Sequence, residues 1–368
     1  MEYVNLGDVA TYINGYAFKP EQRGKKGLPI IRIQDLNGNS HDLGFFDGEY
    51  PEQVEINTGD ILISWSGSLG VYKWNKGKAL LNQHIFKVLF NKIEIDKEYF
   101  CYAIRNSLSS MSQQTHGATM KHITKKDFDN ISIPYPDLIE QKKIANNLNI
   151  VNKLIMFYEK ELILFEQMVK ARFIEMFGDL KSNEKDWNLK TFEEMSVLIT
   201  DGEHSTPKRT KEGIYLLSAR NVLNHSLQLK DVDYINRDEY LRIAKRVVPK
   251  KGDILISCSG TIGRCCSVPD SLQLQMVRSV ALIRFKEVIN PIFAEYMITS
   301  DYLQEQINSS KTMSSQANLF QGKIRKLKGF LPPTELQNQF ADFVEQVNKS
   351  RFDIKKSITE LEREVVYD

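Results

Sequence analysis

The chain repeats itself, and that repeat limits what it can fold into. Residues 59–70, GDILISWSGSLG, return as residues 252–263, GDILISCSGTIG, with nine of twelve positions identical. A looser match precedes it, with Ile31-Arg32-Ile33-Gln34-Asp35-Leu36 against Leu217-Ser218-Ala219-Arg220-Asn221-Val222. A third follows it, where Tyr135-Pro136 corresponds to Leu331-Pro332 and Gln141 to Gln337. The offset grows from 186 to 193 to 196, so short loop insertions separate two copies of one unit. A period this long means that whole domains are duplicated rather than short solenoid repeats. The 368 residues suffice for two or three domains.

Within each copy the pattern is α+β. Segments 28–33, 60–64 and 85–90, and their counterparts 214–218, 253–257 and 280–285, are short β-rich runs bounded by Gly, Pro, Asn or Lys. Segments 97–114 and 291–310 read as helices, with Pro291 suited to a first helical turn. After each copy comes a long helical stretch. Apolar residues at Ile144, Leu148, Val151, Ile155, Tyr158, Leu162, Phe165 and Val169 are spaced alternately by four and three. That is a heptad seam, which keeps one stripe against a partner helix. At an offset of 196 the same positions are Phe340, Val344, Val347, Arg351, Ile354, Ile358, Leu361 and Val365, of which seven of eight are apolar. The two helices are therefore expected to pair with each other. Because the first enters the second domain and the second must turn back from it, the pairing should be antiparallel, with a pseudo-two-fold axis relating the halves. A strict two-in-seven stripe favours this over packing of each seam on its own domain, which calls for a broader apolar face. Arg351, opposite Ile155 in the alignment, is the misfit. The organisation expected is a first domain over 1–137, a helix and spacer over 138–185, a second domain over 186–333 and a closing helix over 334–368, giving two similar α/β domains separated by a two-helix coiled coil.

The chemistry-bearing motifs of many enzymes are missing. No G-x-G-x-x-G opens a helix after a strand, and no phosphate-binding G-x-x-x-x-G-K-[ST] occurs. Asn290-Pro291-Ile292-Phe293 resembles a methyltransferase Asn-Pro-Pro-aromatic loop but lacks the second proline, and a helix start explains it better. The acidic residues of Pro136-Asp137-Leu138-Ile139-Glu140-Gln141-Lys142 suit a helix N-terminus better than a nuclease centre. The six histidines, His41, His84, His116, His122, His204 and His225, show no zinc spacing. Ser66-Gly67 and Ser259-Gly260 lack the G-x-S-x-G elbow and read as turns. Cys101, Cys258, Cys265 and Cys266 form no CxxC pair, so reduced thiols in a cytoplasmic protein are expected, with Cys265-Cys266 as packing residues rather than a redox pair. No apolar run is long enough for a membrane span, and residues 1–8 do not read as a signal peptide.

Two similar ends joined by helices suit the reading of a linear polymer at two places, DNA above all. The total charge of +2 does not announce nucleic acid, but its distribution is uneven. Residues 1–137 carry 15 basic and 16 acidic side chains, and residues 186–332 carry 21 and 16. Lys19, Arg23, Lys25 and Lys26 in one copy, and Lys208, Arg209 and Lys211 in the other, are basic loops of the kind that phosphate binding requires, although such runs are commonly only solvated.

At this point the chain resembles the specificity subunits of type I restriction-modification systems over essentially its whole length. The motifs are 200–207 (TDGEHSTP) followed by 215–222 (YLLSARNV), the duplicated GDILIS…SG…G, and the domain exits. The exits are 117–123 (GATMKHI) leading to 133–136 (IPYP) and 140–144 (EQKKI), and 315–324 (SQANLFQGKI) leading to 331–333 (LPP). The central 172–179 (RFIEMFGD) with Trp187 is similar to the family's spacer. The first domain opens differently, since 13–20 (INGYAFKP) lacks His-x-Thr-Pro. The resemblance implies a non-catalytic subunit that binds double-stranded DNA, each domain reading one half of a bipartite, asymmetric site. Two methylation subunits would dock on the helices, and restriction subunits are further partners that the family admits. It implies no cofactor on this chain, with S-adenosylmethionine, ATP and magnesium on the partners. The alternative is a self-sufficient DNA-modifying or DNA-cleaving enzyme whose active site carries no recognised motif. Loop donors and acceptors are the expected base readers. In the first domain these are Gln113, Gln114, Thr115, His116, Thr119, Lys121 and His122. In the second they are His204, Lys208, Arg209, Arg220, Arg264, Arg278, Ser314, Gln316, Asn318 and Lys323. Fewer than half are expected to touch a base, because most protein–DNA hydrogen bonds go to phosphate and sugar.

Overall fold

A computed structural model describes residues 2–39, 42–114, 124–309 and 318–367, with side chains described except at 109–114 and 364–367. The chain divides into two compact units, Met1–Phe157 with Ile358–Asp368, and Tyr158–Ser357. Both long helices contribute to both units: one runs Leu138–Phe177, the other Thr334–Tyr367.

Both units are built on the same scaffold. In the first, a four-stranded antiparallel sheet has the order Thr11–Asn14, Ile85–Leu89, Ile61–Ser64, Gly70–Lys73. In the second, the order is Ser196–Asp201, Val280–Phe285, Ile254–Ser257, Cys265–Ser267. The GDILIS repeat supplies the fully buried inner strand of each, Ile61–Ser64 and Ile254–Ser257. A second sheet in each unit contains one parallel pair, Leu28–Ile31 with Ala79–Leu81, and Ile214–Leu217 with Leu274–Met276. The chain closes each domain by pairing its first strand with its last, Tyr3–Asn5 with Ser132–Pro134 and Asn188–Thr191 with Lys328–Leu331. The expected strands all form, each within a residue or two of the bounds read from sequence. Lys97–Gln114 is helical as expected. The helix expected over 291–310 is instead two, Pro291–Thr299 and Asp301–Ser309. Ser300 adopts an extended backbone and its hydroxyl bonds Met297 O at 2.6 Å, while Asp301 opens the next first turn, so a local side-chain bond displaces the continuous ladder.

The repeated side chains make repeated bonds. Asp60 and Asp253 accept from the backbone N–H three residues earlier, at 2.8 and 2.7 Å. Ser64 and Ser257 donate to the carbonyls of Ser68 and Thr261, closing the turn after the strand. Gln141 and Gln337 are both buried near the start of a long helix. Gln141 accepts from the Asp96 N–H at 2.9 Å and donates to Pro136 O at 2.8 Å; Gln337 accepts from the Asn290 N–H at 2.9 Å and donates to Pro332 O at 2.8 Å. Each glutamine thus latches its long helix to the start of a domain helix.

Within the second unit the long helices pack antiparallel. Glu166 meets Arg351 at 2.9 Å, Arg172 lies over the Phe343 ring, and Phe173 and Phe177 sit 5.3 and 5.6 Å from Phe340, so numbers rise along one helix as they fall along the other. Val169, Phe340, Val344 and Val347 are buried there. Ile144, Leu148, Val151, Ile155, Tyr158, Leu162, Phe165, Ile354, Ile358 and Leu361 are half-buried, and the Val365 side chain lies outside the described residues. Arg351, the misfit of the heptad pattern, is partly buried and spends its charge on Glu166 of the opposite helix. The fold class is the expected α+β, with two similar domains and an antiparallel helix pair.

Replacing Gln337 with Leu keeps the volume but strands the Asn290 N–H and the Pro332 carbonyl. Leaving a buried polar group unsatisfied costs about 1–3 kcal/mol. Denaturant unfolding should show a loss of that size for Gln337→Leu, against a change within about 0.5 kcal/mol for the exposed Glu345→Ala. Equal midpoints for the two variants would remove the latch from the account.

Candidate nucleic-acid interface

One end of the four-stranded sheet gathers four candidate residues of the second unit, His204, Arg264, Arg278 and Asn318. The register pairs Asp201 with Ala281, Ser257 with Val280 and Ile256 with Cys265. The loop after Asp201, the turn 258–264 and the connection 277–279 therefore emerge together. Backbone bonds lock them: Glu203 N to Met276 O at 2.9 Å, Arg278 N to Glu203 O at 3.0 Å and Cys258 N to Ser279 O at 2.8 Å. Asn318 bridges Ser259, which brings the chain from the domain exit to this same end. Glycine is required where the loop leaves the sheet. A Cβ on Gly202 would lie 2.4 Å from the carbonyl oxygens of Met276 and Val277, and one on Gly15 would lie 2.0 Å from Asn82 O.

The first unit has the same end with different side chains. Trp65 N bonds His84 O at 3.2 Å, as Cys258 bonds Ser279, and Gln83 N bonds Tyr16 O at 3.0 Å, as Arg278 bonds Glu203. The pairs of equivalent positions are thus Asn14 and Asp201, Tyr16 and Glu203, Trp65 and Cys258, Gln83 and Arg278, His84 and Ser279. Trp65 Nε1 donates to Asn14 Oδ1 at 3.2 Å, and its ring stacks on Phe86 and meets the edge of His84. The first end carries aromatic and amide side chains at these positions; the second carries Asp201, Glu203 and Arg278. Sequence reading missed Asn14, Trp65, Gln83 and His84, although their places at the ends of the repeated strands are the signal that could have marked them.

In the second unit the loop at 201–208 is tied to the helix Arg237–Ala244. His204 Nε2 lies 2.8 Å from Asp201 Oδ2, and the other oxygen of Asp201 accepts from Arg246. Arg242 contacts Glu203 at 3.4 Å, Glu239 at 2.9 Å and the Ser205 hydroxyl at 3.1 Å. The Glu203 carboxyl is held below the usual carboxylate range, first by the Ser205 hydroxyl and then by the Ser205 N–H and Arg242. Glu239 is likewise lowered, chiefly by Arg242.

The remaining candidates scatter. Arg209 is paired with Asp233 at 2.9 Å, and Arg220 with Asp233 and Asp231 at 3.5 and 3.8 Å, so both are engaged on the second sheet rather than at the first sheet's end. Arg264 lies in the turn, where its N–H donates to Ser257 Oγ. Lys208 and Lys323 are exposed, the latter on the helix Gln321–Lys326. Gln113 and Gln114 end the helix Lys97–Gln114, but their side chains lie outside the described residues. Thr115, His116, Thr119, Lys121, His122, Ser314 and Gln316 also fall outside the described residues.

Neither a group of three or more His, Cys, Asp or Glu able to hold a metal nor a helix long and apolar enough to cross a membrane occurs among the described residues. The four cysteines are buried and free, and burial pushes the Cys101 and Cys258 thiols up to about 11 and about 12. Cys265 and Cys266 alternate along their strand into different core clusters, so their side chains leave opposite faces of the sheet. They are packing residues, as expected.

The lowered carboxyls set a pH dependence. A carboxylate whose folded pKa is depressed stabilises the folded form above its unfolded value, about 4.3 for Glu, and that contribution is lost as pH falls through the folded value. Amide exchange of residues 203–208 should therefore accelerate below about pH 4, and Glu203→Gln should show the accelerated exchange already at pH 7.

Residues 1–164 and 184–363 each match the type I restriction modification DNA specificity domain. The type I restriction enzyme EcoBI specificity subunit of Escherichia coli is 26% identical over 96% of this chain and 81% of its own length. The MjaVIII specificity subunit of Methanocaldococcus jannaschii is 24% identical over 94% of this chain and 86% of its own. Two solved structures share the fold. The type I S subunit from M. genitalium superposes with a TM-score of 0.55 at 14% identity, covering 99% of this chain and 93% of that one. A chain from a study of complex assembly and conformational transition in the type I R-M system gives 0.63 at 15% identity, covering 99% and 95%. With both halves of its sequence matching the same domain, the chain belongs to the DNA specificity family of type I restriction-modification systems.

Proposed function

We propose that this chain is the DNA-recognition subunit of a type I restriction-modification complex and reads a bipartite, asymmetric double-stranded site, one half per domain. The observation that carries this reading is the pair of equivalent sheet ends. The same backbone presents Asn14, Tyr16, Trp65, Gln83 and His84 in one domain and Asp201, Glu203, Cys258, Arg278 and Ser279 in the other. A shared scaffold with unlike donors and acceptors favours different base edges, because each base pair displays its own pattern in the major groove. The candidate loop residues named above are proposed as the contacts, with Arg264, Arg278, Lys208 and Lys323 toward phosphate or guanine and Asn318 toward adenine. The chain is proposed to be non-catalytic and cytoplasmic, with no cofactor of its own. S-adenosylmethionine, ATP and magnesium would belong to partner subunits.

Two methylation subunits are proposed to dock on the long helices. Ile163, Leu164, Met168 and Ile174 are exposed on the first long helix, on the side away from the heptad seam. A helix in contact with water on that side ordinarily carries polar residues there, and one that is apolar all round is covered by something. Restriction subunits would join through that assembly.

The discriminating experiment incubates the purified chain with DNA and either S-adenosylmethionine or magnesium, alone and together with its methylation subunits. Methylation should need the partners, and sequencing of the methylated DNA should give two unlike half-sites separated by an unspecified gap. Methyl transfer or cleavage by the lone chain would instead favour a self-sufficient enzyme. Arg278→Ala should weaken binding across sequences and reduce the slope of log K against log salt by about one if it contacts phosphate, or relax one position of one half-site if it reads guanine. Leu164→Glu with Met168→Glu should leave the chain soluble and abolish co-purification with the methylation subunits. Undiminished co-purification would place the dock elsewhere.

A further inference from the structure

Domain two carries a helix that the first domain lacks. Between the strand Phe45–Phe46 and the GDILIS strand the first domain has the three-residue turn Glu52–Val54 and the short strand Glu55–Ile56, while between Asp233–Ile235 and the GDILIS strand the second has the helix Arg237–Ala244. Asn236 caps this helix by accepting from the Glu239 N–H, and Tyr240 and Ile243 are buried against Leu216 and Ile235. The helix is therefore fixed to the domain by its apolar face. Its polar face holds the loop that leaves the sheet at Asp201.

That loop is pinned at four points. Arg246 takes Asp201, Arg242 takes Glu203 and the Ser205 hydroxyl, and the Lys208 N–H donates to Glu239 Oε1 at 3.1 Å. Glu239 in turn holds Arg242 twice, at 2.9 and 3.1 Å. One guanidinium thus bridges two carboxylates and a hydroxyl, a task that suits its planar fork of five donors and not the point charge of lysine. An exposed ion pair contributes little to global stability, and Arg242 is nearly half exposed. Its consequence is geometric: it fixes the path of the segment that carries His204 and Lys208 at the sheet end. We propose that Arg242 is a positioning residue for sequence discrimination by the second domain, holding the 201–208 loop in the shape that reads its half-site. This rests on the DNA-recognition reading above.

The test uses the full chain assembled with its methylation subunits and a DNA library randomised in both half-sites, with methylation read by sequencing. Arg242→Ala should lower discrimination at one half-site by about tenfold, the scale of a single lost base preference, while the other half-site stays as sharp as in wild type. Arg242→Lys should remain relaxed at the same half-site, and Ser205→Ala, which removes one of the three acceptors, should relax it less. A stability defect alone would lower methylation of all sequences together and leave the preferences unmoved, and that result would overturn the proposal, as would equal relaxation of both halves. If Arg242→Ala does not assemble, Arg242→Lys and Ser205→Ala carry the same reading, and sharp preferences in both overturn it. Wild-type complex that methylates no split site would overturn the DNA-recognition reading itself. Wild type reading a split site while Arg242→Ala keeps both halves sharp overturns this inference alone.

Discussion

The second unit depends on an aromatic knot. Phe173 and Phe177 from the first long helix, Phe340 from the second and Phe293 and Tyr296 from a domain helix meet with ring centroids 4.8–6.4 Å apart. Phe177, Phe293 and Phe340 are fully buried. Each such side chain contributes roughly 1.5–3 kcal/mol by leaving water, and tilted or edge-on contacts add to it. The knot joins three elements that are distant in sequence, so neither long helix can shift without opening the domain core. Gln337 adds direction to this attraction. Its amide accepts one N–H and donates to the carbonyls of Pro332 and Val288, which fixes where the second long helix begins.

Given such anchoring, the duplicated sequence sorts by physical duty. Gly59 and Gly252 adopt positive φ of 100° and 81°, where a side chain would be strained, and both are retained. Asp60 and Asp253 satisfy a backbone N–H, Ser64 and Ser257 close a turn, and the isoleucines and leucines between them fill two faces of a buried strand. Each duty has few chemical solutions. At the sheet ends the bonds common to both domains are made by the backbone, which any residue can supply, and it is there that Trp65 stands where the second domain has Cys258, and Gln83 where it has Arg278. Side-chain chemistry has diverged where the shared scaffold imposes no side chain.

Much of this was legible in the sequence because periodicity and identity report packing. The nine identities of the GDILIS repeat located the inner strand of each sheet, the four-three spacing from Ile144 to Val169 located the helix pair, and the connectivity of the chain set its direction. The interface was legible only in part. Arg209 and Arg220 are loop cations, which made them candidates, but their partners Asp231 and Asp233 lie close only once the second sheet forms. Gln141 and Gln337 were visible as a match without a role, because the N–H groups they accept from lie 45 and 47 positions away. The helix Arg237–Ala244 gave no signal of its importance, since Arg242 and Arg246 look like ordinary solvated charges until the fold brings Asp201 and Glu203 to them. Ion pairs between distant loops leave no periodic trace.

The same pairing changes what the charge asymmetry means. The second domain has five more basic than acidic residues over 186–332, which by itself suggests that it supplies most of the attraction to a polyanion. Yet Arg209, Arg220, Arg242, Arg246 and Arg284 each meet a carboxylate. A cation within a few ångströms of an anion presents a dipole to anything farther than the Debye length, about 8–10 Å at ordinary salt. These five arginines therefore shape loops and strands more than they draw phosphate. Attraction falls to cations with no ion pair among the described residues, such as Lys208, Arg264, Arg278 and Lys323. The first domain, net negative over 1–137, has fewer cations to offer a polyanion. Added salt should accordingly weaken binding through the second domain more than binding through the first.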